Sequence, residues 1–260
     1  MYLILKRSFI TTLFVIPMLA VGTALAQEEM DGPPGNIVEM WVIHASDPAA
    51  FETAIKAHMP IRKANNDPFD WQVFTNGTGD DLKVYYFRHC CFAWNDRDAY
   101  DTWEESAAAV NEDWGKNVDP HVASYEHHFE QIDFENSHWP DGSEPVKFVG
   151  VTSYRIKPDG WQAFNAAKDE LSQIAINNGW ASDGRRWAWV WSVDGKPEVG
   201  LAIPYENYAD MTDPDPSFFE FLSGQIGAEE AAAKFGAFTA ATSGSRYDIY
   251  TYRPELSTPE

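Results

Sequence analysis

Two long stretches of the chain carry apolar segments, turns and helix signals in the same order. The first passes through residues 41–44, 47–51 and 71–74, and the second through 152–156, 157–161 and 186–191. Each stretch continues through a third apolar segment, a helix that begins near a tyrosine, and a closing segment that begins at Tyr125 or Tyr247. A chain that repeats one set of elements predicts two copies of one domain.

Periodicity predicts the elements within each copy. Residues 37–44 place apolar side chains on both faces of a strand, which indicates a strand that is covered on both sides. Pro48 follows in a position that suits the first turn of a helix. Phe51, Ile55 and Met59 then recur every four residues and form the buried stripe of that helix.

Strand, helix, strand, strand, helix, strand is the arrangement of ferredoxin-like domains, in which the sheet order is 4-1-3-2. The predicted fold class is therefore α+β, with two tandem ferredoxin-like βαββαβ repeats. We place repeat 1 at 27–131, a linker rich in turn residues at 132–145, and repeat 2 at 146–260, with superposable units near 36–131 and 146–253.

The first 26 residues predict a signal peptide. Lys6 and Arg7 precede an apolar run at 9–21, and Ala24 and Ala26 supply the small residues that a signal peptidase requires. A retained anchor is the alternative, but the run is shorter than the roughly 20 residues of a spanning helix. We expect cleavage before Gln27 and a periplasmic or secreted protein that does not contact the membrane after cleavage.

The formal net charge is −21, from 40 acidic and 19 basic residues. Such a surface repels phosphate backbones and anionic membranes, so nucleic acid is excluded as a partner. The acidity indicates either a cation-binding surface or a solvated coat that keeps the protein dispersed, and the second interpretation is favoured.

Residues 154–164, with the sequence Tyr-Arg-Ile-Lys-Pro-Asp-Gly-Trp-Gln-Ala-Phe, resemble the strand-to-helix opening of the dimeric α/β-barrel superfamily. This superfamily includes antibiotic-biosynthesis-type monooxygenases, haem-degrading oxygenases, stress-responsive barrel proteins and NIPSNAP-like proteins. In the first copy, residues 44–48 depart from the Lys-Pro pattern. The resemblance implies that the antiparallel sheets of the two repeats pack as an intramolecular α/β barrel across an apolar interior. Two independent domains with separate partners are the alternative, and a homo-oligomer also stays open.

All seven histidines lie before the second copy begins, which predicts a site in the first copy alone or else reflects chance. His44 and His89 belong at opposite ends of the sheet, and the adjacent His127 and His128 point to opposite faces, so three ligands do not converge and no metal site is predicted. His58 borders the buried stripe of the first helix. The resemblance implies a ligand pocket between helices and sheet, which this histidine would face, with Lys168 as its counterpart in the second copy.

Aromatic residues supply the other candidates. Trp187, Trp189 and Trp191 alternate along one face of a strand, with Trp71 equivalent to one of them, and they form either barrel core or a pocket for a flat apolar ligand. The candidate ligand-binding residues are His58, Trp71, Tyr86 and His89. The two cysteines, Cys90 and Cys91, are adjacent and are expected to be small thiols at a strand end, because neighbours in a regular strand point apart.

Two functions follow. The first is an exported α/β-barrel protein that binds a small apolar or aromatic ligand, with oxygenase-like or haem-handling activity as its enzymatic form. The second is a non-enzymatic interaction protein of the envelope with a filled aromatic core. Catalytic residues and the cofactor are not identified by the sequence, since no phosphate-binding loop, nucleophile elbow or paired-cysteine motif occurs in it.

Overall fold

The computed structural model of the protein describes residues 35–79, 82–140 and 146–259, and the predicted signal peptide lies outside them. The first repeat consists of β1 (Ile37–Ala45), α1 (Pro48–Ala64), β2 (Gln72–Asn76), β3 (Val84–Phe92), α2 (Trp94–Ser106), α3 (Ala108–Asp113) and β4 (Val122–Ile132). The second consists of β5 (Phe148–Ile156), α4 (Trp161–Asn177), β6 (Ala188–Ser192), β7 (Glu198–Tyr205), α5 (Phe218–Ile226), α6 (Ala228–Ala240) and β8 (Thr242–Tyr252).

The duplication is confirmed in the order of the elements and in their lengths. The helices α1 and α4 each contain 17 residues, and the closing strands β4 and β8 each contain 11. The late helix of the second repeat is broken at Gly227, which has a φ of 88° that favours glycine. The proposed boundaries of the linker at 132–145 stay a prediction; within its described part, Phe134–Asn136 forms a 3₁₀ turn.

The eight strands form a closed antiparallel barrel in the order β1-β3-β2-β8-β5-β7-β6-β4. Each repeat keeps the predicted 4-1-3-2 order. Three residue pairs join β2 to β8, and three join β4 to β6. The fold is thus the α+β barrel that was predicted from two ferredoxin-like repeats, with the sheets joined at their edges. Among the described residues, no helix is both long and apolar enough to cross a bilayer.

Each strand has a helix-facing and a barrel-facing side. On β1, Ile37 and Ile43 pack with Phe51 and Ile55 of α1 in one core cluster. Val38 and Val42 alternate with them and face the barrel interior. This two-sided burial explains the apolar residues on both faces of the strand.

The prediction of an apolar interior was wrong. The register places Arg88, Glu130 and Tyr250 on the barrel-facing side of their strands. Burial raises the pKa of Glu130 and lowers the pKa of Arg88, while each charge partly opposes the effect of burial on the other.

The two joints between the repeats have matching hydrogen bonds. After β4, the N–H of Asp133 donates to the carbonyl of Trp189 at 2.9 Å, and the N–H of Trp189 donates to Oγ of Ser137 at 2.9 Å. After β8, the N–H of Arg253 donates to the carbonyl of Val73 at 2.8 Å, and the N–H of Val73 donates to Oγ of Ser257 at 2.9 Å. These two joints, each formed by a closing strand, its 3₁₀ turn and the second strand of the other repeat, are called seams below.

Cys90 and Cys91 are joined by a disulfide, and the peptide bond between them is cis. The expectation of two separate thiols assumed a regular strand. The pairing of β1 with β3 shifts at this point, because Val38 pairs with Cys90 whereas Ile37 pairs with Phe92. Cys91 is therefore the extra residue of a β-bulge, where the alternation of side chains is interrupted.

We expect Glu130→Gln to raise the free energy of unfolding at pH 7, because burial raises the folded-state pKa of Glu130 and thereby disfavours its charged form. The free-energy cost of burying its charged carboxylate is therefore complete above that pKa and absent below the ordinary pKa of 4.5. The difference between variant and wild type should shrink as the pH falls from 7 to 4.5, as measured by urea unfolding. The exposed Glu105→Gln is the control, and an equal change in both variants would contradict the prediction.

Candidate functional site

A cavity of about 500 Å³ lies in the first repeat, between the helix-facing side of its sheet and the helices α1, α2 and α3. Its apolar lining residues are Trp41, Ile43, Met59, Trp71, Phe87, Val110 and Trp114. Its polar lining residues are Arg62, Arg97, Tyr100, Glu104, Asn111, Asp119 and Tyr125, together with the backbone at Gly115. Several of these, including Glu104, Asn111 and Tyr125, are exposed, so the cavity reaches solvent at their side.

Helix α1 supplies one wall. It begins after Asp47, whose carboxylate accepts the N–H of Ala50 at 3.2 Å, and Pro48 occupies its first turn as predicted. Met59 continues the buried stripe of this helix, and Arg62 lies one turn further on the same side. The amphipathic periodicity of α1 thus places the thioether of Met59 and the guanidinium of Arg62 side by side in the cavity wall.

The opposite wall depends on an irregular segment. Helix α3 ends at Asp113, and residues Trp114–Val118 form a π-helical turn. Such turns are rare and often lie at functional sites, because the extra residue redirects the side chains that follow. Here the turn places the indole of Trp114 in the cavity wall, where its N–H donates to the hydroxyl of Tyr125 at 3.2 Å.

The hydroxyl of Tyr100 is a free donor in the cavity wall. Nη2 of Arg62 donates to Oη of Tyr100 at 2.6 Å, and a guanidinium has no acceptor for the hydrogen of Tyr100. Burial raises the pKa of Tyr100, so the phenol keeps its hydrogen at neutral pH. The described residues provide no acceptor for that hydrogen.

Trp71 supplies a second free donor beside it. Its Nε1–H is buried and has no hydrogen-bond partner within the described part of the chain. The rings of Trp71 and Tyr100 are in edge-to-face contact, with 6.1 Å between their centroids. A buried donor without a partner costs about 1–3 kcal/mol, so two of them in one wall are unusual unless something else accepts their hydrogens.

The equivalent tryptophan of the second repeat differs in this respect. Strands β2 and β6 have equal length, and Trp71 and Trp187 each precede their strand by one residue. Nε1 of Trp187 donates to the carbonyl of Asn136 at 2.9 Å, and Trp189 and Trp191 also donate to protein acceptors. The tryptophan row of β6 is therefore packed core, whereas Trp71 lines a cavity.

A buried carboxylate, which the sequence analysis did not select, organises the sheet side of the cavity. Glu39 on β1 is completely buried and accepts from Nε1 of Trp41 at 3.0 Å and from Nε2 of His127 at 2.9 Å. Nε of Arg97 lies 2.9 Å from its second oxygen. The sequence signal for this role of Glu39 was a single acidic residue within an apolar strand. Glu39 thus positions Trp41 and Arg97, both of which line the cavity.

Of the four candidate residues, only Trp71 lines the cavity. His58 lies next to it: the imidazole is fully buried and contacts Trp114 edge-to-face, with 5.1 Å between the centroids. His89 stacks on Phe69 at 3.9 Å, and its Nδ1 donates to the carbonyl of Asp70 at 3.0 Å, so it supports the wall from behind. Burial lowers the pKa of both histidines.

His58 forms a dyad with Asp113. Its Nδ1 lies 2.8 Å from Oδ2 of Asp113, and its Nε2 is buried without a partner within the described residues. This dyad fastens α1 to the segment that carries Trp114. The expected equivalence with Lys168 is displaced by one turn, because aligning the first residues of α1 and α4 places Leu171 opposite His58.

Tyr86 does not belong to this site. It pairs with Val42 and Phe74 on the barrel-facing side, and its ring contacts Tyr250 with 4.9 Å between the centroids. Tyr85 and Phe87 have the opposite orientation and are buried on the helix side. Tyr86 therefore faces away from this cavity, because neighbouring residues in a strand point to opposite faces, and its role in ligand binding stays a prediction.

No group of three metal-ligating side chains comes together among the described residues. His127 and His128 face opposite sides, as predicted: His127 contacts Glu39, and His128 lies 3.4 Å from Glu126.

No protein-family model matches the sequence, and no curated protein matches it. Solved structures match the whole barrel. They include a candidate monooxygenase of Lactobacillus acidophilus NCFM, with a TM-score of 0.51 and 9% identity over 84% of this chain and 94% of that chain. A candidate monooxygenase of Fusobacterium nucleatum has a TM-score of 0.53 and 8% identity, over 84% and 93%. The chain shares the overall fold of these proteins. A mutant chlorite dismutase from Candidatus Nitrospira defluvii also matches, with a TM-score of 0.50 and 9% identity over 86% and 94%.

The core of the second repeat includes Phe164, Leu222 and Phe238 at the helix–sheet interface, and Lys168 is buried there with Asp133 as its partner.

We expect Trp71→Phe to destabilise the protein less than Trp187→Phe, by about 1 kcal/mol. Both substitutions remove the same ring volume, but only the second breaks a hydrogen bond and leaves the carbonyl of Asn136 unpaired. Urea unfolding of the two variants measures the difference. Equal losses would show that the N–H of Trp71 has a partner in the folded protein.

Proposed function

We propose that the protein binds a flat aromatic molecule with an oxygen acceptor in the cavity of its first repeat. The observation that carries this proposal is the pair of adjacent unpartnered donors, Nε1–H of Trp71 and O–H of Tyr100, in an aromatic wall. A volume of about 500 Å³ suits a molecule of two or three fused rings. Phenols, quinones and polyketide-like ketones have the required combination of ring surface and oxygen.

The charged groups of the wall favour an oxygen with partial or full negative charge. Arg62 donates to Tyr100, so its positive charge strengthens the hydroxyl as a donor toward the ligand. Nε of Arg62 lies 2.5 Å from Asp67, and Arg97 is paired with Glu39, so neither cation needs an anionic ligand for neutrality. A ketone or phenol is therefore favoured over a multiply charged anion.

The enzymatic form of this proposal is a monooxygenase-type reaction, which two structural relatives suggest by their description. When a ligand methylene becomes a carbonyl, the ligand supplies both hydrogens: CH₂ and O₂ give C=O and H₂O. The two donors of Trp71 and Tyr100 would stabilise the oxyanion of the enolised ligand, as preorganised donors do in other enzymes.

Haem does not fit the lining residues. Iron in haem proteins is held by histidine, cysteine, methionine or tyrosinate. No histidine or cysteine is among the residues that line the described cavity. Met59 offers a thioether, but methionine ligates haem iron together with a histidine. Burial raises the pKa of Tyr100 and Tyr125, the latter to about 12, so both stay phenols.

A filled core would favour the second function, a non-enzymatic interaction protein of the envelope. Both repeats have a core cluster at the helix–sheet interface, but the first repeat also contains the cavity of about 500 Å³. This cavity favours ligand binding in the first repeat.

We expect 2-hydroxy-1,4-naphthoquinone to quench tryptophan fluorescence on binding, and Trp71→Phe and Tyr100→Phe each to weaken its binding about 3- to 10-fold, the value of one hydrogen bond. Naphthalene, which has the rings without the oxygens, should bind both variants as it binds the wild type. Trp187→Phe is the matched control. Oxygen consumption with an anthrone-type ketone tests the enzymatic form. Equal binding of the quinone by all four proteins would rule out the donor pair as a ligand site.

We also propose that the protein acts after export, in the periplasm or outside the cell, because residues 1–26 have the pattern of a signal peptide. Mass spectrometry of the protein recovered from its own host should find Gln27 as the first residue. A chain that retains Met1 and partitions with membranes would contradict this proposal.

A further inference from the structure

The two seams carry ion pairs of opposite polarity. After β4, Asp133 forms a salt bridge with Lys168 of α4, and Lys168 is 1% exposed. After β8, Arg253 binds Glu52 of α1 through two hydrogen bonds of 3.0 and 2.9 Å. In each seam, the residue that follows a closing strand reaches the first helix of the other repeat.

These positions are equivalent under the duplication. Asp133 and Arg253 each follow an 11-residue closing strand and precede a 3₁₀ turn. With α1 and α4 aligned at their first residues, Lys168 corresponds to Ile55, which lies one helical turn from Glu52 on the same face. The first repeat therefore contributes two acidic groups to the seams, and the second repeat contributes two basic groups.

This polarity makes pairing between identical repeats unfavourable. If two first repeats formed a barrel, Asp133 of one would approach the helix face that carries Glu52 of the other. If two second repeats did so, Arg253 would approach the face that carries Lys168. Like charges in partly buried positions repel, and interfaces use such repulsion to reject wrong partners.

We infer that the charge order of the two seams selects the pairing of a first repeat with a second repeat and disfavours the pairing of two identical repeats from two copies of this chain. The backbone and serine hydrogen bonds that both seams share cannot make this distinction. The ion pairs have opposite polarity in the two seams, so they can make it.

The test uses the full chain with Glu52→Arg, Arg253→Glu and the double substitution, because Glu52 and Arg253 are 26% and 22% exposed and tolerate reversal better than Lys168. Each single reversal breaks one seam and makes one identical-repeat pairing complementary: the new guanidinium at position 52 would face Asp133, or the new carboxylate at position 253 would face Lys168. Both singles should lower the urea midpoint and increase the dimer fraction in native mass spectrometry after refolding. The double variant restores the ion pair between positions 52 and 253, so it should recover most of the midpoint. It also makes both identical-repeat pairings complementary, so its dimer fraction should stay above the wild-type value.

Glu52→Gln and Arg253→Gln separate repulsion from lost attraction, since they break the pair without creating a complementary identical seam. They should lower the midpoint less than the reversals and give a dimer fraction between those of the wild type and the reversal variants, because they remove repulsion at one identical seam without adding attraction there. If the reversals reduce stability without raising the dimer fraction, or if the double variant does not recover the midpoint, the inference is overturned. Should a reversal variant fail to refold, mixed refolding of isotopically heavy and light chains of the Gln variants provides the measurement: mixed dimers no more abundant than in the wild type would overturn the inference.

Discussion

The closure of the barrel through its two seams is the constraint on which the rest of the structure depends. Neither four-stranded sheet can cover its barrel-facing side alone, and each is completed by the second strand of the other repeat. The closing strands β4 and β8, with the serines that follow them, fix this pairing by the same hydrogen bonds at both joints. Because the frame is fixed at these joints, the helix-facing side of each repeat is free to differ.

That freedom allows the equivalent tryptophans of the two repeats to have different surroundings. Both helix-facing sides carry a tryptophan at the same position, but the carbonyl of Asn136 satisfies Trp187 and no described group satisfies Trp71. The buried Glu39 and the His58–Asp113 dyad stabilise the walls of the cavity without lying in it. The result is a rigid concave surface with two donors that await an acceptor, which is the usual design of a preorganised site.

The fold could be predicted from the sequence because the same periodic signals occur twice. The two-faced apolar pattern of 37–44, the stripe on α1 and the sheet order all follow from local rules. The site could be predicted only in part, since Trp71 is recognised from its strand, whereas its lack of a partner depends on contacts between elements. Tyr86 was expected beside Trp71, but the pairing of β3 with β1 decides which face of the sheet each residue of β3 points to. Glu39 could have been selected from the sequence, because it is an acidic residue within an otherwise apolar strand.

A closed barrel has no unpaired strand edge, and this affects how the protein tolerates partial opening. Loss of one short seam would expose two edges at once, each with a row of free N–H and C=O groups that can pair with another chain. Local opening at a seam would therefore be the first step of aggregation as well as of repeat exchange. The kinetic persistence of the protein depends on three residue pairs at each joint, although most of the chain lies far from either.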